Sequence, residues 1–368
     1  MIIFLIIVAL IIVITTVVVY LFMQQPAFGK APQAKRLAQY SGLPNFKNGI
    51  FQNIHDTPQL ATGYSMPLVL FNYIFNKEKH RKPLTAVPSI RTDLHNLPAT
   101  DDVLIWFGHS SYFIQINGKK FLIDPVFSGN ASPLAGSNKA FNGSNIYSAA
   151  DMPVIDYLLI THDHYDHLDY KTVIQLQQKA RKVICGLGVG EHFERWGYNE
   201  KNIIEKNWNE EITLENNITI FTTPARHFSG RGFKRNTSLW LSFLLQVNDY
   251  KIFIGGDSGY DTHFAEIGKT HGPIDLAILE NGQYNAAWRY IHTLPDEFLQ
   301  AADDLQAKKV LPVHNSKFAM ANHAWNAPMA VIASLNKKQG FLQTPVIGQP
   351  FYLKKDDQQF THWWQAEV

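Results

Sequence analysis

Between His162 and Asp169 the chain reads "HDHYDHLD", three histidines and three aspartates directly after the apolar run "IDYLLI". Imidazole and carboxylate bind borderline divalent cations such as zinc. His162, His164, Asp166 and His167 stand close enough in one loop to serve two adjacent ions. A lone His-x-His is commonly a solvated pair, but H-x-H-x-D-H at the end of a buried strand is far more specific. The pattern recurs along the chain. His227 follows "ITIFTTPAR", Asp257 follows "KIFIGG" and His314 follows "KVLPV". In each case an apolar strand leads to a metal-binding residue type, and strand ends are rigid enough to place ligands precisely. The chemistry open to such a set is hydrolytic, because paired cations acidify a shared water and clamp the oxygens of an in-line displacement.

These residues need a framework, and the chain offers one from about Asp101 onward. "DVLIWFG", "SYFIQI" and "KFLIDPV" read as strands, with Asn117-Gly118 as a hairpin turn between the second and third. "IDYLLI", "KVICGLG", "IDLAILE" and "KVLPVH" read as further strands, and "ITLENNITIFTTP" and "SLWLSFLLQVNDYKIFIGGD" as hairpins. "YKTVIQLQQKA", "FAEIGKTHG" and "PDEFLQAADDLQAK" read as helices. Strands outnumber helices and later alternate with them, which implies sheets covered by helices on their outer faces. "GLGVG" (186–190) follows a strand but lacks the G-x-G-x-x-G spacing of a dinucleotide site.

The ordered set H-x-H-x-D-H, His, Asp, His resembles that of the metallo-β-lactamase superfamily, over residues 101–368. The resemblance implies an α/β fold, an αββα sandwich, with a two-metal site at one edge of the sheets. It implies that His162, His164 and His227 hold one ion, that Asp166, His167 and His314 hold the second, and that Asp257 bridges them. Two divalent ions, zinc by preference, are the implied cofactors. The true lactamases often use a Cys in this set, whereas the one cysteine here, Cys185, lies elsewhere. That argues against antibiotic hydrolysis. "WFGHSSYFIQINGKKFLIDPVFSGNASPL" (106–134) and "PAFGKAPQAKRL" (26–37) are similar to motifs of a narrower branch. That branch contains N-acyl-phosphatidylethanolamine-hydrolysing phospholipase D and its bacterial relatives. "YNAAWRYIHTLPDEFLQA" (284–301) is similar to a segment that carries an active-site histidine there, which maps to His292. Asn285-Ala286-Ala287 departs from the Pro-Arg pair common in that branch, which bears on headgroup recognition. The candidate catalytic residues are therefore Asp166, Asp257 and His292, with His109 and Asp124 expected to brace the ligands.

Residues 1–23 carry no charged side chain. A run of that length spans about 30 Å of hydrocarbon as a helix. It has neither the basic start nor the small-x-small cleavage site of a signal peptide, so it reads as a single-pass anchor. Lys30, Lys35 and Arg36 follow it and favour a cytoplasmic body by the positive-inside rule. Residues 24–100, rich in Pro, Gly and Asn, read as an extended arm. Within it "MPLVLFNYIF" (66–75) precedes the basic "NKEKHRKP" (76–83). Such a pair suits either an anionic bilayer surface or a core helix with a solvated end. The net charge of +2 gives no case for nucleic acid as a partner. The expected partner is a membrane phospholipid, cleaved by a phospholipase D-type phosphodiesterase. A lactonase or other ester hydrolase with the same ligands is the enzyme alternative, and a tethered binding protein with a vestigial site is the non-enzyme one.

Overall fold

Strand after strand is buried on both sides, and this explains the near-continuous apolar runs in the sequence. In the computed structural model, which describes residues 1–134, 136–215 and 217–365, two sheets face one another and helices close the outer faces. The N-terminal part supplies helix α1 (Ile2–Met23), a short helix α2 (Ala34–Gln39), a ribbon of β1 (Phe46–Lys47) with β2 (Ile50–Phe51), and helix α3 (Met66–Phe75). The first sheet contains β3 (Val103–Trp106), β4 (Tyr112–Ile116), β5 (Lys119–Ile123), β6 (Ile155–Ile160), β7 (Ala180–Gly186) and β8 (Ile203–Lys206). Helices α4 (Tyr170–Leu176) and α5 (Gly190–Arg195) are threaded between its later strands. The second sheet contains β9 (Glu211–Thr213), β10 (Ile218–Thr223), β11 (Ser242–Val247), β12 (Tyr250–Ile254), β13 (Ile274–Glu280) and β14 (Ala307–Val313). Helices α6 (His263–His271) and α7 (Pro295–Asp304) are interleaved, α8 (Ala327–Leu335) follows, and β15 (Pro350–Tyr352) returns to edge the first sheet beside β3.

Alternation decides which side chain goes where. Leu104, Trp106, Ile114, Phe121, Ile123 and Leu159 point between the sheets. Val103, Ile105, Phe113, Leu122, Leu158 and Ile160 point outward, under Val173, Leu176 and Phe193 of α4 and α5. On the far side α7 packs against β13 and β14 and lies between α6 and α8. This is the expected αββα sandwich. Phe113 and Phe243 are fully buried, and truncating either to Ala costs about 3–5 kcal/mol in such a setting. The Asn117-Gly118 turn joins β4 to β5 with both residues at positive φ (50° and 72°), the geometry that suits a right-twisted hairpin.

Parts of the fold differ from the sequence reading. The segment 24–100 is more structured than an extended arm: Tyr40, Phe46 and Phe51 form an aromatic cluster inside the main core. Strand β8 and helix α8 were not expected, since neither has a clean apolar period. Helix α3 has no buried residue, so the core-helix reading of 66–75 is corrected. Leu70, Phe71 and Phe75 are 54%, 53% and 69% exposed. Helix α1, 22 residues with a mean hydropathy of 3.5, is long and apolar enough to cross a membrane and buries none of its side chains.

Candidate metal centre

The parallel strands β5–β8 and β12–β14 end at one edge of the sandwich, and the chemistry-bearing residues collect there. The loop after β6 carries Thr161 to His167. It is closed by Asp169, whose carboxylate accepts from Lys171 N and from Thr172 Oγ1 at the start of α4. His227 follows β10, Asp257 follows β12 and His314 follows β14. His109, Asp124 and His314 all adopt left-handed backbone conformations (φ 53°, 41° and 65°). Non-glycine residues hold such conformations where the surroundings enforce them. Here the ends of β3 and β14 exchange backbone hydrogen bonds, His109 N to Asn315 O and His314 N to His109 O, each 2.9 Å.

The seven predicted ligands converge. His162 Nε2 and His227 Nε2 lie 3.0 and 3.2 Å from His164 Nδ1. Asp257 stands between two groups. Its Oδ2 is 3.8 Å from both His162 Nε2 and His227 Nε2, while its Oδ1 is 3.1 Å from His167 Nε2 and from His314 Nδ1. Asp166 Oδ2 lies 3.6 Å from His167 Nε2 and 2.9 Å from His109 Nε2. Around these, Asp124 Oδ2 meets His167 Nδ1 at 2.8 Å and accepts from Thr161 Oγ1, and His227 Nδ1 donates to Ile291 O. Such outer bonds fix ring orientation and tautomer, leaving the inner nitrogen free to ligate.

The electrostatics fit cations. Burial holds His162, His227 and His314 well below the ordinary imidazole value and lowers His164, so these rings are neutral, the form that binds metal. Burial works the same way on His167, but the Asp257, Asp166 and Asp124 carboxylates outweigh it and raise that ring. Burial would raise Asp257, yet His167 and His314 beside it hold its carboxyl well below the usual range. His167 Nε2, Asp257 Oδ1 and His314 Nε2 are buried and make no hydrogen bond. Buried polar atoms are seldom left this way. A bound cation would satisfy them, and imidazoles with carboxylates form a donor set that suits divalent metals.

His292 lies over the same centre, its Nδ1 2.6 Å from Glu280 Oε2. Glu280, at the end of β13, is a site residue that the sequence reading missed. Its other oxygen accepts from Ser258 N and Thr293 N. Burial raises the Glu280 carboxyl. Burial opposes the charged form of His292 as well, but Glu280 and Asp257 outweigh it and raise that ring. The pair therefore holds a proton above the Asp257 cluster. The glycine turn 186–190 lies apart from this centre. Gly188 N and Gly190 N both donate to Glu205 Oε1, so the turn cradles a carboxylate of the chain itself.

A cavity of about 400 Å³ opens over His164, Asp166, His227, Asp257 and His292, with Leu60, Met66, Val69, Phe228, Trp288 and Ile291 among its walls. A family profile described as "Beta-lactamase superfamily domain" matches residues 119–315. The chain belongs to that superfamily. An uncharacterised protein of Mycobacterium tuberculosis is 33% identical over 331 residues, 88% of each chain. The N-acyl-phosphatidylethanolamine-hydrolyzing phospholipase D 1 of Caenorhabditis elegans is 28% identical over 62% of this chain and 69% of its own. Among solved structures, a possible metal-dependent hydrolase from Veillonella parvula superposes with a TM-score of 0.54 at 13% identity, over 69% of this chain and all of its own. The last is a likeness of fold. The superfamily is one of metal-dependent hydrolases, and the His/Asp cluster of this member has the ligands to match.

Proposed function

We propose that this chain is a membrane-anchored phosphodiesterase of the phospholipase D type, acting on N-acyl-phosphatidylethanolamine or a related phospholipid. The observation that carries the reading is the roof of the cavity. Met66 and Val69 of α3 form part of its wall, while Leu70, Phe71 and Phe75 of the same helix face outward, unburied. A charged centre under an apolar, exposed roof suits a substrate that is charged at one end and apolar at the other. Helix α1 supports an anchor at the same membrane. The similarity to the nematode phospholipase D supports the bond to be cleaved.

His162, His164 and His227 would hold one divalent cation, Asp166, His167 and His314 the other, and Asp257 would touch both. When bound, such a pair supplies an acidified water and an electrophilic clamp for phosphate oxygens. The residues of the chain do the rest. Asp257 sits where it can orient the attacking water. Asp124 and Ile291 O fix His167 and His227 by their outer nitrogens. His292 lines the cavity and has its Nδ1 on Glu280, so a proton on its Nε2 is the one that can pass to the departing alkoxide. Leu60, Trp288 and Phe228 exclude water from the walls.

The test is turnover by full-length, zinc-loaded protein in detergent against phosphatidylethanolamines, their N-acyl forms, a lactone and a bis-aryl phosphodiester. In isotopically labelled water the label should appear on phosphate. Label in a freed carboxylate would replace this reading with ester or lactone hydrolysis.

A further inference from the structure

The segment that follows α1 is bonded into the metal loop. Pro26 O accepts from Trp196 Nε1 (2.8 Å), and Ala27 O accepts from both Nε and Nη2 of Arg231 (3.0 and 2.7 Å). Arg231 Nη1 in turn donates to Asp163 O and Leu168 O, each at 2.7 Å, and so spans the loop that carries His164, Asp166 and His167. Lys30 N donates to His192 Nδ1 at 2.9 Å. Because Nδ1 accepts, the ring proton of His192 sits on Nε2, which faces Asp163 Oδ2 at 3.1 Å. Asp163 also accepts from Ser238 Oγ (2.6 Å) and Gly230 N (2.7 Å). It is flanked in the chain by His162 and His164.

His192, Asp163 and Arg231 are buried, and none of them reaches the cavity. A buried carboxylate needs its donors. If Lys30 left, His192 Nδ1 would be a buried acceptor without a donor. The ring would have to shift or admit water to regain one, and that loosens its hold on Asp163, the residue between two ligands. The arm can dock this closely only because position 29 is glycine. Gly29 has φ +65°, and a Cβ there would lie 2.1 Å from His192 Nδ1.

We propose that Pro26–Lys30 is a structural part of the metal centre. Seating of this juxtamembrane arm on His192 and Arg231 fixes Asp163, and cation retention by His162, His164 and His227 depends on that seating. His192, Asp163 and Arg231 are positioning residues. The inference rests on the metal reading of the cluster and is independent of the substrate.

The experiment is a zinc competition titration against a chromophoric chelator, using the full chain in detergent. Gly29→Ala should weaken one of two zinc sites about 10–100-fold, the range for lost outer partners of metal ligands, with faster hydrogen exchange across 161–168. Arg231→Lys keeps the charge but loses the fork on Ala27 O, and it should weaken the same site. Wild-type affinity in folded Gly29→Ala or Arg231→Lys overturns the proposal. A third readout needs no variant, since coupling is reciprocal. Stripping zinc from the wild-type chain should speed exchange of the Lys30 amide, and unchanged exchange there also overturns it. A wild-type chain that binds no zinc would instead sink the metal reading itself.

Discussion

His292 Nδ1 stands 2.6 Å from Glu280 Oε2, over the Asp257 cluster and at the edge of the cavity. Backbone amides of Ser258 and Thr293 hold the other carboxylate oxygen, so Glu280 cannot swing away without losing two further bonds. Glu280→Gln keeps the shape and removes the charge that raises His292. Turnover should fall on the order of 10²-fold, the low end for loss of a general acid, while zinc content stays at the wild-type value. The alkaline limb of the pH–rate profile should move to lower pH, because an unpaired His292 loses its proton sooner. An unmoved alkaline limb would remove His292 from proton transfer.

Metal binding should be visible in stability as well as in activity. Freshly purified protein should carry about two zinc or iron ions per chain by elemental analysis. Each site stabilises the folded chain by about 2.7 kcal/mol when free metal is a hundredfold above its dissociation constant. Chelator should therefore lower the melting temperature in two resolvable steps as its strength is increased. Asp257→Ala should abolish the coupling between those steps, since this carboxylate faces both ligand groups, 3.1 Å from His167 and 3.8 Å from His162. His109→Ala removes the 2.9 Å contact to Asp166 together with the ring packing on His314 and Phe318, and should cost about 10–100-fold in affinity at one site.

How much of this was legible from sequence follows from what local pattern encodes. The runs "IDYLLI", "KIFIGG" and "KVLPV" announced both the strands and the ligand-type residues after them, because a strand buried on both faces is continuous in apolar residues and stops where its role changes. Glu280 ends "IDLAILE" in the same way, yet a single acid at a strand end is common and nothing nearby marks it. The His192–Asp163 contact was not legible, because neither residue departs from its local pattern and the contact links positions 29 apart. Exposure of α3 was not legible either: an apolar decapeptide looks the same packed in a core or open to the outside.

Folding stability should fall in mild acid, and His263 should account for part of the fall. Burial lowers this ring from an ordinary value of 6.5 to about 3, and its Nε2 meets Ser258 Oγ at 3.1 Å. The unfolded chain takes up a proton on this group below about pH 6.5, whereas the folded chain does so only near pH 3. The contribution is thus fully present above pH 6.5 and is lost progressively as pH drops toward 3. From pH 7 to 5 one such group costs about 2 kcal/mol. Urea midpoints at the two pH values should show that difference shrinking in His263→Gln. An identical fall in wild type and variant would mean that other buried histidines carry it.

If α3 docks on a bilayer as proposed, that contact should be electrostatic as well as apolar, but not through every residue of the basic cluster. Arg81 is committed to the protein. Its guanidinium donates to Ala321 O and Ala319 O and stacks 4.3 Å over the Tyr73 ring. The sequence reading counted it with the surface charges, and that count is corrected. Lys77, Lys79 and Lys82 are exposed beyond the C-terminal end of α3. Near an anionic surface each contributes about 1 kcal/mol, and the effect is screened by salt. Reversing these three to Glu should raise the apparent KM on anionic vesicles by at least tenfold at low salt and less at high salt. Turnover of a small soluble phosphodiester should stay within twofold of wild type, since none of the three lines the cavity. Arg81→Glu should lower both activities, because it releases the 319–321 loop that carries the cavity residue Met320. Equal loss on vesicles and soluble substrate for the triple lysine variant would assign the cluster to folding, and the docking face would then rest on α3 alone.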